Sequence, residues 1–127
     1  MSDLLIDSRV CLEYHDQNEL FAQHLPVEGA IKMRLTTRDG AEDWYLVELD
    51  RSIEYQHSVG GSNNFKRIVA PKVLVRSRWH GEPISSVNSP SVFMLLVSDS
   101  QMFEQDQIET EDYYFVCWAK CRVLDAQ

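Results

Sequence analysis

Positive charge is scarce in this chain. Its 127 residues include 12 Lys and Arg against 20 Asp and Glu, a formal net charge of −8. Neutralising many phosphates needs a broad basic face, so the balance argues against a general nucleic-acid binder. Long apolar runs are also missing. The longest, Val92–Val97, is far shorter than a membrane span. The first ten residues carry acids and no uncharged apolar stretch, so no secretory leader is expected and the cytoplasm is the expected compartment. Cysteines number three, Cys11, Cys117 and Cys121, an odd count without framework spacing. They read as reduced thiols. On a strand Cys117 and Cys121 would face the same way about 13 Å apart, too far for one disulfide or one shared ion.

Signatures of chemistry are equally sparse. The histidines are His15, His24, His57 and His80, and none has a metal-binding spacing. Ser58, Ser62, Ser85, Ser86 and Ser89 lie in loop-like stretches without the strained elbow of a nucleophilic serine. The Gly60–Gly61 pair precedes Lys66 and Arg67, but the phosphate-loop order is absent. No metal and no cofactor are expected.

What the chain does have is strand periodicity. Val10, Leu12 and Tyr14 alternate with Arg9, Cys11 and Glu13. Ile31, Met33 and Leu35 alternate with Lys32, Arg34 and Thr36, and Asp39-Gly40 marks a hairpin turn before the return strand around Trp44–Leu49. Residues 17–25 predict a short α-helix, with Asp16 and Glu19 at capping-box spacing and Pro26 closing it. A strand with a bend near Pro71 follows. The uninterrupted apolar run 92–97 predicts a strand buried on both faces, and residues 113–124 a last long strand. These elements make one globular domain over residues 1–127. It is an all-β, mostly antiparallel barrel or sandwich of about six to seven strands with that one short α-helix.

Arg34–Arg38 with Asp50-Arg51-Ser52 resembles the arginine pair and Asp-x-Ser element of cyclic-dinucleotide-binding PilZ barrels. Tyr55 stands where that motif carries glycine, and Arg34–Arg38 falls inside a strand pattern, so no family is assigned from it.

The positive charge that exists is concentrated. Five of the twelve Lys and Arg residues lie between Lys66 and Arg78. By alternation Lys72, Leu74, Arg76, Arg78 and His80 project one way, and Val73, Val75, Ser77 and Trp79 the other, toward the core. From Gly81 to Ala119 there are seven acids and no Lys or Arg. Arg76 and Arg78 are therefore expected to share an exposed face near acids of the stretch 99–112. The functional expectation is a non-catalytic, acidic, protein-binding domain of adaptor, inhibitor, immunity or accessory type, acting on another protein through a charged face or strand edge. Its candidate binding residues are Lys66, Arg67, Lys72, Arg76, Arg78 and His80. The alternative is an OB-like barrel holding an anionic ligand or nucleic acid on the basic strand 66–80. A third reading is a small enzyme using His57 or His80.

Overall fold

The computed structural model describes residues 5–19, 21–58, 65–79, 83–85, 89–98 and 107–124, with the side chains of residues 57, 58, 65 and 66 left aside. His80, residues 59–64 and the acidic stretch 99–106 lie outside the described residues.

Alternating apolar sequence becomes a closed barrel. Strands β1 (Arg9–Asp16), β2 (Val27–Thr37), β3 (Asp43–Ser58), β4 (Phe65–Ser77), β5 (Ser91–Val97) and β7 (Tyr114–Val123) each pair with their chain neighbour, and β7 returns to β1. All these pairings are antiparallel. Closure supplies each barrel strand with a partner on both sides and removes the open edges of a flat sheet. The order is a six-stranded meander rather than the five-stranded Greek key of an OB-fold, so the OB-like topology is corrected. A two-residue strand, β6 (Gln107–Ile108), lies parallel to β2 at Thr36 and Thr37.

The barrel interior is filled by Val10, Leu12, Ile31, Val47, Val73, Val75, Val92, Met94, Leu96 and Ala119, among others. Phe21 enters one end and Ile84 belongs to the same core. A second apolar cluster lies on the outer surface, where Leu35, Trp44, Leu46, Leu74, Leu95, Val97 and Ile108 are buried together. Leu46, Leu74 and Leu95 stand side by side on β3, β4 and β5. Run 92–97 is thus buried on both faces, as its unbroken hydrophobicity predicts. Val92, Met94 and Leu96 face the interior, and Leu95 and Val97 the outer cluster.

Three irregularities decide which residues face where. The β2–β3 register shifts between Ile31 and Met33, so Ile31 points inward while Met33 and Leu35 join the outer cluster. Simple alternation had put all three on one face, and a bulge reverses it. On β4, Ala70 and Val73 both belong to the interior cluster, so the side-chain phase changes around Pro71 as expected from a residue without a donor N–H. On β7, Met94 pairs with Cys117 but Leu95 with Phe115, so Val116 is bulged.

The expected α-helix at 17–25 is instead a 3-10 turn, Phe21–His24. Asp16 does not cap it but ends β1, and its carboxylate accepts the Gln17 N–H at 2.8 Å. Gln17 has φ +92°, and Asn18 Oδ1 accepts the Phe21 N–H at 3.2 Å. The turn delivers Phe21 into the barrel core.

Gly29 sits where β1, β2 and β3 meet, opposite Val10 and Leu49. A Cβ there would collide with the Glu48 carbonyl oxygen and lie 2.9 Å from Val47 Cγ1. Gly→Ala in a strand usually stabilises by restricting the unfolded chain. Here Gly29→Ala is expected to cost about 1–3 kcal/mol, because the obstacle is backbone and cannot swing away. Urea titration checks the sign, and a stabilised variant would contradict this packing.

Candidate functional site

The basic strand does not present a continuous row of cations. Arg67 lies at the distal end of β4 and pairs with Glu54 at 2.6 Å. Arg76 lies nine residues on, roughly 30 Å away along an extended strand. Lys72 is half-buried midway, and buried Leu74 interrupts the line. The Lys66 side chain and all of His80 lie outside the described residues. Among the candidates, the structure brings Arg76 and Arg78 together and leaves Arg67 apart.

Around those two arginines the outer barrel surface is aromatic. Arg76 retains only 20% side-chain exposure, lies 3.9 Å from Glu42 Oε2, and has its guanidinium carbon 5.9 Å from the Phe93 ring centre. Glu42 also accepts the Trp44 indole N–H at 3.3 Å. Arg78 lies over the Trp118 ring at 3.4 Å and over the Trp79 ring at 5.0 Å. A cation over an indole face is drawn by the ring quadrupole. A stacked guanidinium still has its in-plane N–H groups available for a carboxylate or phosphate.

Alternation had placed Trp79 toward the core. It is 54% exposed. The strand ends at Ser77, whose hydroxyl donates to the Trp79 carbonyl at 3.0 Å and accepts the Trp79 N–H at 3.3 Å. That local loop of hydrogen bonds turns the chain, so period-two counting stops applying one residue before Arg78. The acidic partner expected from the stretch 99–112 is not seen among the described residues. Arg76 meets Glu42 from the β2–β3 connection, and the acidic segment's Glu109 pairs with Arg38 at 3.5 Å.

Beside the arginines lies a cleft of about 360 Å³ lined by Phe93, Leu95, Thr110, Glu111, Tyr113, Phe115 and Trp118. Phe115 is 38% exposed. The ring centres of Phe93, Phe115 and Trp118 form a nearly equilateral triangle, with sides of 6.1, 6.4 and 6.3 Å. The Trp118 indole N–H is buried and has no hydrogen-bond partner among the described residues. Sequence reasoning missed this cleft. Phe115 and Trp118 are three apart, which alternation assigns to opposite faces, and only the bulge at Val116 puts both outside.

The remaining candidates lie elsewhere. Cys117 and Cys121 face the barrel interior, and burial pushes both thiols up to about 12. Cys11 is buried as well, and burial also raises its pKa. All three are free thiols. Thiolate is the reactive form, so Cys117 and Cys121 are expected to resist a disulfide reagent at pH 8 in the folded protein and to react fully in denaturant. Fast labelling of both in the native state would place them outside the core. His24 packs against Phe21 and Tyr55, and its pKa is lowered by burial and then by Arg51. His57's side chain, Ser62 and Ser86 lie outside the described residues. Among the described residues no cluster of three metal-ligating side chains occurs, and no helix is long and apolar enough to cross a membrane.

No family model, curated protein or solved structure matches the chain.

Proposed function

We propose that this barrel is a non-catalytic protein-binding domain of adaptor, inhibitor, immunity or accessory type that docks an acidic surface of another protein on its Arg76–Arg78–Trp79 face. One observation carries the reading: Arg78 lies over two indoles, with Trp79 largely exposed beside it. Trp and Arg are the residues on which interface binding energy concentrates. A guanidinium held over rings has already given up much of its freedom, so less is lost when it engages a carboxylate. Reduced, buried Cys11, Cys117 and Cys121 suit the cytoplasm, where we place the protein.

The test is Arg78→Glu. Wild-type and variant barrels are immobilised and the proteins each retains from cell extract are identified by mass spectrometry. Specific capture is expected to be lost in the variant and to weaken for the wild type as salt rises. Stability should fall by only about 1 kcal/mol, the worth of a partly exposed cation–aromatic contact. Equal capture by both proteins would refute the assignment of this face.

A second reading keeps the same residues but takes a single-stranded nucleic acid. Its support is Trp79, which now stands beside Arg78 as an exposed stacking surface. The acidic excess of the chain weighs against it, since a strand of phosphates needs several cations and the described residues of this face offer two.

A further inference from the structure

We infer that the face recognises a short segment of its partner in which a carboxylate side chain lies two positions from a bulky apolar one, the carboxylate on Arg78 and the apolar group in the Phe93–Phe115–Trp118 cleft. This rests on the docking reading above and names the chemistry it selects.

Charge points to one carboxylate. Arg76 already has Glu42 at 3.9 Å, whereas Arg78 makes no ion pair among the described residues. Among the described residues the face therefore offers one positive charge without an ion pair, and a chain with 20 acids repels a longer run of negative charge. Beside that charge the cleft is walled by four rings and Leu95, with Thr110 and Glu111 as its polar members. At about 360 Å³ it lies at the small end of ligand sites, the size for one large side chain rather than an extended molecule. Phe93 and Phe115 meet Trp118 nearly edge to face, at interplanar angles of 72° and 62°, and an aromatic guest can add to such a cluster in the same manner.

Trp118 belongs to both halves of the site. Arg78 covers its ring at 3.4 Å, and Phe93 and Phe115 stand 6.4 and 6.3 Å from it. In an extended peptide, side chains two positions apart project to the same side about 6.6 Å apart. In the proposed pose that spacing carries the segment from the Arg78 guanidinium across the Trp118 ring to the cleft. Adjacent residues would point to opposite sides and could not fill both.

The experiment is a titration of ¹⁵N-labelled protein, followed through the indole N–H signals of Trp79 and Trp118. The probes are the blocked peptides acetyl-Gly-Asp-Gly-Trp-Gly-amide and its reverse, acetyl-Gly-Trp-Gly-Asp-Gly-amide. Each is compared with a version carrying Asn for Asp and one carrying Ala for Trp. At least one parent peptide is expected to shift both signals saturably. Both replacements should weaken it at least tenfold, and Arg78→Gln should erase the difference between the Asp and Asn peptides. Phe115→Ala should likewise erase the difference between the Trp and Ala peptides. No saturable shift, or equal affinity for Asp and Asn peptides, would overturn the inference. So would saturable binding of a ten-nucleotide oligothymidylate at the same two signals where the peptides give none. Partner capture that needs Arg78 while every peptide fails would leave the docking reading standing and remove this one. Capture indifferent to Arg78 would remove the docking reading, and the titration would still judge the cleft.

Discussion

Phe21→Ala is expected to lower the unfolding free energy by about 3–5 kcal/mol. Phe21 is fully buried at one mouth of the barrel, where its ring meets His24 at 5.1 Å and Tyr55 at 5.2 Å. A closed barrel has no open edges, but it has two ends, and an uncovered end admits water to the interior layer. The turn that carries Phe21 is tied to the strands around it. Asn18 donates its Nδ2–H to the Tyr55 hydroxyl at 2.8 Å, and its backbone N–H goes to the Tyr14 hydroxyl at 3.1 Å. Tyr55 in turn packs on Tyr114, 5.9 Å between ring centres. These bonds hold the connection in place, so it cannot collapse into the space the ring vacates, which is the condition for a large cavity cost. Chemical denaturation should show a lower midpoint with an unchanged slope. A loss below about 1 kcal/mol would mean that the mouth closes without this ring, since that is less than its transfer energy alone.

Much of this architecture was legible because local sequence and global fold agree. Alternation located the strands, Asp39-Gly40 located the first hairpin, and Gly40 adopts φ +75° there, with its N–H on the Thr37 carbonyl at 2.8 Å. What was not legible depends on residues far apart in sequence. The bulge at Lys32 moves Met33 and Leu35 to the outer face, and nothing in the alternation of residues 31–35 announces it. The helix expected at 17–25 was read from capping residues that, in the structure, serve β1 and the turn instead. Propensity is a weak prior when a short connection must also cork a barrel.

The candidate site was half visible for the same reason. Charge clustering found Arg76 and Arg78, but a count along the strand could not tell that Arg67 has Glu54 beside it or that Leu74 divides the row. Trp79 was assigned inward by carrying alternation past Ser77, where the strand ends. The cleft needed two distant facts together, a bulge on β7 and the return of residues 110–113 beside β5 and β7. Neither has a signature in a single sequence.

Leu95→Ala joins the two halves of that account and is expected to destabilise by about 2–5 kcal/mol. Leu95 is buried although it points out of the barrel, in the outer cluster with Leu35, Trp44, Leu46, Leu74, Val97 and Ile108. Its neighbour across β4 is Leu74, and across β7 it pairs with Phe115, so truncation opens a gap between two strands rather than at a yielding surface. The same side chain lines the cleft. Alanine would deepen the cleft and loosen the support of Phe93, so the variant should lose stability and also change its response to aromatic peptides. Thermal or urea unfolding measures the first effect, and the Trp118 indole signal the second. A variant as stable as the wild type would mean that the outer cluster is exposed in solution, and that the run 92–97 is hydrophobic for the sake of an interface rather than a core.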